Sequence, residues 1–155
     1  MRECGGCTAC CEGWLGSKIV GMRPGVPCRH QSQSGCSIYD ERPHNPCVTF
    51  RCVWLQDSTG LDDSMRPDKC GAIIRESTWK NWSKLAIVPA GVKIPDATLE
   101  RIRQYADQRG LPYSWGERAE DFRNDDAVKM LAAGPDEFVA QVKWDFSDED
   151  FFELK

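Results

Sequence analysis

Apolar positions in the first 75 residues follow neither the 3.6-residue period of a helix nor the alternation of a strand. Seven glycines and four prolines punctuate residues 1–52, so this stretch can bury little apolar surface by itself. Residues 14–22 read as a short strand, and residues 48–55 gather Val48, Phe50, Val53, Trp54 and Leu55. The texture changes near Cys70. Residues 72–74 and 85–88 are short apolar runs with Trp79 and Trp82 between them, which predicts two strands. Residues 96–109 predict a helix: Asp96 caps it, Leu99, Ile102, Tyr105 and Ala106 share one face, and Gly110 and Pro112 stop it. A second helix is expected from Asn124 or Asp125 to Ala133, with Val128 and Leu131 inward and Gly134-Pro135 ending it. Residues 138–146 fit a last helix or a strand equally well, and the acidic, aromatic tail 147–155 reads as a fraying end or docking segment.

These elements predict a small α+β protein. A loop-rich, metal-binding cysteine-cluster region, residues 1–75, packs on a C-terminal region, residues 76–155, with short strands and two or three helices. Whether the two form one continuous domain stays open. The 155 residues suffice for one domain with a core, and 41% apolar with 28% charged residues is ordinary globular usage. No apolar run approaches the ~18 residues of a membrane span. The start, Met1 to Cys7, has no apolar stretch behind a basic segment, so no signal peptide and a cytoplasmic protein are expected. Residues 1–75 carry nine Lys/Arg against eight Asp/Glu, while residues 76–155 carry eleven against sixteen. Thiolates holding metal would make the front negative too, so nucleic acid is not expected as a partner.

Cysteine changes the picture most. There are nine, eight of them within the first 52 residues, spaced Cys4-x2-Cys7-x2-Cys10-Cys11, then Cys28, Cys36, Cys47 and Cys52, with Cys70 apart. A disulfide framework needs an oxidising compartment, and nine is an odd number. Metal is the better reading. Two thiolates separated by two residues reach one ion when the turn between them folds back sharply, and Gly5 and Gly6 suit such a turn. Four thiolates close a tetrahedral zinc site, so eight suit two sites or one multinuclear cluster. Iron–sulfur is the rival cofactor, because Cys-x2-Cys-x2-Cys also begins cubane ligation. The bacterial ferredoxin run, however, continues with three residues, a cysteine and a proline, and here Cys11 follows Cys10 at once.

Two stretches carry a resemblance: Cys7-Thr8-Ala9-Cys10-Cys11, and the run from Gly35 through Cys52 with its G-C-x-I-Y-x-x-R-P element and Phe50 between the last two cysteines. In these the chain resembles the YkgJ-like cysteine-cluster family of zinc- or iron-chelating proteins, over about residues 4–70. The resemblance implies a cytoplasmic, largely bacterial protein that binds zinc or an iron–sulfur cluster through these cysteines. The resemblance does not extend to residues 76–155.

The expected metal ligands are therefore Cys4, Cys7, Cys10, Cys11, Cys28, Cys36, Cys47 and Cys52. His30 and His44 read as surface histidines rather than ligands, because thiolates are already in excess, and Cys70 reads as a spare thiol, a ligand delivered by the fold being the alternative. Arg42 is expected either to donate to carbonyls or a thiolate or, equally, to form a plain salt bridge, and Tyr39 and Trp54 to cover the site with apolar surface. No glycine-rich phosphate loop, nucleophile elbow or H-E-x-x-H is present, and acid pairs such as Asp62-Asp63 and Asp125-Asp126 read as solvated charges. The sequence thus favours a structural or chelating metal-binding protein with a protein partner, an iron–sulfur electron carrier being the alternative and enzymatic activity left open.

Overall fold

The computed structural model describes residues 2–56, 59–118, 120 and 128–145. Their architecture is a small α+β fold built on a four-stranded sheet. Strands β3 (Ala72–Trp79) and β4 (Trp82–Pro89) form an antiparallel hairpin closed by Lys80 and Asn81, with Lys80 at φ +50°. Both runs extend beyond the short stretches expected, and Trp79 and Trp82 pair across the hairpin end instead of lying between strands. From β4 the chain crosses through α2 (Asp96–Arg109) to β5 (Tyr113–Arg118), which pairs with β4 in parallel. Strand β6 (Val128–Ala133) closes the order β3-β4-β5-β6 antiparallel to β5.

Several sequence expectations are corrected by the structure. Residues 128–133, expected in the second helix, are strand; the residues expected to begin that helix lie outside the described ones. Their apolar spacing suits either period, and pairing with β5 decides it. Strand β5 itself was not foreseen, since Pro112, Gly116 and its charges mask its alternation. Helix α2 has the bounds expected, but Pro95 occupies its N-cap and Asp96 is its first residue, so no side chain caps it. Residues 138–146 resolve in favour of helix, with α3 spanning Asp136–Asp145 and Phe138 set edge-on against Trp79 and Trp82. The tail expectation falls outside the described residues.

The N-terminal region is a chain of turns. Wide helical turns span Cys10–Trp14 and His44–Val48, a two-residue ribbon pairs β1 (Gln31–Ser32) with β2 (Gly35–Cys36), and one turn of helix, α1 (Pro67–Cys70), leads into β3. Residues 14–22 form no strand; only single bridges join Ser17 to Met22 and Arg23 to Val26. One core runs through both regions: Ala9, Val53, Trp54 and Met65 pack with Ile73, Leu85, Ile102 and Tyr105. The boundary expected between residues 75 and 76 lies inside β3.

Polar ties reinforce that joint core. Arg118, buried on β5, donates to the carbonyls of Pro89 and Gly91 and, across to the front of the chain, to that of Trp14 at 3.0 Å. Arg2 donates to the carbonyls of Trp54 and Leu61, each at 2.7 Å, while lying over the Trp54 ring. Thr98 of α2 donates to the Cys70 carbonyl at 2.6 Å. Among the described residues no helix is long and apolar enough to cross a membrane.

Candidate metal centre

All nine cysteines are free thiols. The eight clustered ones, Cys4, Cys7, Cys10, Cys11, Cys28, Cys36, Cys47 and Cys52, line one cavity of about 530 Å³. Neither His30 nor His44 lines it, and nor does Cys70. Apolar side chains complete the wall, among them Leu15, Met22, Phe50 and Val88, with Tyr39 and Trp54 also present.

Turns deliver these sulfurs, and two glycines let the turns approach. The Cys7 N–H donates to the Cys4 carbonyl at 2.8 Å, closing the first Cys-x2-Cys turn, with Gly5 at φ +52°. Gly35 at φ +121° opens the strand bearing Cys36, and a Cβ there would lie 2.7 Å from the Gly5 carbonyl oxygen. Gly13 at φ +103° lets the Cys10–Trp14 turn close on Arg23, whose carbonyl oxygen a Cβ would meet at 2.1 Å. The Cys28 N–H donates to the Cys11 carbonyl at 2.7 Å and brings those two sulfurs to one side of the cavity.

The sulfurs fall into two neighbourhoods. Burial pushes the Cys11 thiol up to about 12, and Cys36, Cys28 and Cys47 oppose its charge before Cys4 does. Burial likewise raises Cys47, opposed next by Cys28 and Cys36 and relieved by Arg42. Cys10, raised well above the usual thiol value by burial, is opposed first by Cys52 and then by Cys7. Burial pushes Cys52 up to about 11, against N–H bonds from Leu55 and Trp54 that lower it, and Cys4 and Cys7 are its charged neighbours. Packing divides them in the same way: Cys28 groups with Val20 and Met22, and Cys11 and Cys47 pack against that group. Cys52 belongs to the main core, against which Cys7 and Cys10 pack. Cys7 and Cys52 thus neighbour Cys10, while Cys28, Cys36 and Cys47 neighbour Cys11, and Cys4 has neighbours on both sides.

Backbone N–H groups reach the sulfurs. Cys7 is raised by burial but accepts from the amides of Ala9 and Asp68, and the His30 N–H donates to Cys28 Sγ at 3.4 Å. The Trp54 indole N–H is buried with no hydrogen-bond partner. N–H groups beside sulfur favour thiolate over thiol. Each buried thiol still costs free energy to ionise unless a positive charge enters the cavity, which is the chemistry of a metal-accepting thiol set. Among the described residues no three His, Cys, Asp or Glu side chains are gathered tightly enough to hold one ion as they stand. The donor set fits zinc or iron–sulfur in kind, and the thiols must draw together to close on a single ion.

The neighbouring residues take definite places. Arg42 lies 3.8 Å over the Tyr39 ring and donates to the Tyr39 carbonyl, so it serves a carbonyl while its charge reaches Cys47. Cys70 is buried, and its thiol donates to the carbonyls of Met65 and Ala72. His44 is exposed, and His30 accepts from Arg29. Sequence reasoning missed Asp68, Arg75 and Val88, which reach the cavity or its thiols from α1, β3 and β4; no spacing signal links them to the cysteines. No family model, curated protein or solved structure matches this chain.

Proposed function

We propose that this protein binds zinc through Cys4, Cys7, Cys10, Cys11, Cys28, Cys36, Cys47 and Cys52, in a structural or chelating role. The observation that carries the reading is that these eight, and not Cys70, share one cavity. Two sets of four agree with two closed tetrahedral sites, Cys4/Cys7/Cys10/Cys52 and Cys11/Cys28/Cys36/Cys47. Bound zinc would compensate the thiolate charge, and its binding free energy would order a region that is mostly turns. Membership of the YkgJ-like family, cytoplasmic residence, where thiols stay reduced, and a protein partner rather than nucleic acid belong to the same proposal.

One observation favours a second reading. The sulfurs stand too far apart to hold a single ion as placed, and a multinuclear iron–sulfur cluster bridges thiolates more widely spaced than one zinc does. Metal analysis with a visible spectrum of anaerobically purified protein separates the two. Colourless protein carrying zinc supports the first, brown protein with iron and labile sulfide the second, and reduced, folded, metal-free protein that takes up neither contradicts both.

A further inference from the structure

One face of the sheet carries Arg75, Ser77, Lys84, Ala86, Ser114 and Gly116. Between the hairpin and β5 it holds a second cavity of about 250 Å³. Register puts Ser77 opposite Lys84, and Arg75 opposite Ala86, with Ser114 and Gly116 on the same face of β5. Small residues at Ala86, Ser114 and Gly116 leave the floor open. Two cations meet over that floor. The half-buried Lys84 donates to Ser114 Oγ at 2.5 Å and lies 5.6 Å from the Trp79 ring, and Arg75 lines the same cavity.

Among the described residues no carboxylate pairs with Arg75 or Lys84. The environment of Lys84 says the same, since burial lowers its amine to about 8, Arg75 adds to the effect, and no acid opposes it. Arg118 also lines the cavity but spends its donors on carbonyls of Pro89, Gly91 and Trp14. The Ser114 hydroxyl is buried, accepts from Lys84, and keeps its own hydrogen to donate into the cavity. An uncompensated charge on the half-buried Lys84 is costly, and an anion held by charge-assisted hydrogen bonds, with the exposed Arg75 beside it, removes that cost.

We propose that this cleft binds a small oxyanion, a carboxylate or a phosphate group, between Arg75 and Lys84, with Ser77 and Ser114 donating to its oxygens. The site does not depend on the metal reading, although Arg75 and Val88 line both cavities and set the two side by side.

The test is isothermal titration calorimetry of the full chain, as purified with whatever metal it holds, in about 0.15 M chloride. Inorganic phosphate and malonate are the two probes, and whichever binds tells which oxyanion the cleft prefers. Saturable binding of at least one is expected, weakened about tenfold by Arg75→Gln and by Lys84→Gln, the loss of one charge-assisted hydrogen bond in each. Lys84→Arg keeps the charge and should bind within a few-fold of the parent, which guards against a folding defect in Lys84→Gln; Arg75 is exposed and tolerates its replacement. No saturable binding of either probe, or an affinity unchanged by Arg75→Gln or Lys84→Gln, would overturn the proposal.

Discussion

Gly35 shows how a single residue sets the candidate site. Its φ of +121° is strained for any side chain, and a Cβ would press on the Gly5 carbonyl at 2.7 Å, in the turn between Cys4 and Cys7. Gly35→Ala is therefore expected to lower stability by about 1–3 kcal/mol and to loosen the placement of Cys36. Gly16, at φ +65° with nothing within 4 Å of a Cβ, is the control, since Gly16→Ala meets the backbone penalty without the clash. Urea denaturation of both variants measures the difference; equal losses would mean that the close approach to Gly5 does not matter. At this scale the sequence was informative about Gly5, which takes a positive φ, and silent about Gly35, whose role depends on a neighbour thirty positions away. Arg42 was half legible: its carbonyl partner could be anticipated, its stacking on Tyr39 could not.

Among the elements, the turns carry the chemistry and the strands carry the frame. The Cys4–Cys7 turn, the Cys10–Trp14 turn and the segment at Cys52 supply one set of sulfurs. Cys11, Cys28, the β1–β2 ribbon and the His44–Val48 turn supply the other. In the proposed division adjacent Cys10 and Cys11 serve different sets, so one short turn would join the two. Pairs of Cys→Ser substitutions are expected to read this division in native mass spectra of zinc-loaded protein, because serine is a far poorer ligand than thiolate. Cys7→Ser with Cys52→Ser should cost one ion, as should Cys28→Ser with Cys47→Ser, whereas Cys7→Ser with Cys47→Ser should cost both. Loss of two ions from a pair within one set would break the assignment. Element by element, α2 and the two strands of the β3–β4 hairpin were readable because amphipathic periodicity and short apolar runs are local signals. Strands β5 and β6 were not, since each exists by pairing with a distant partner: β5 lies parallel to β4 across a helix, and β6 takes its register from β5.

For the molecule as a whole, the front region has little core of its own and depends on the sheet. Ala9, Val53 and Trp54 share the main core, and Arg118 and Arg2 tie turn carbonyls to the rest. Only a small group around Val20, Met22 and Cys28 belongs to the front alone. The α+β class and the gathering of the eight cysteines were legible from composition and spacing. The division of the sulfurs and the cationic cleft behind the sheet were not, because both arise from residues brought together only by folding. The central claim is that eight thiolates, and no histidine, hold the metal. X-ray absorption at the metal edge of the purified protein tests it most directly. The account predicts a first shell of sulfur alone, four per ion, at about 2.3 Å for zinc; nitrogen or oxygen neighbours in that shell would contradict it.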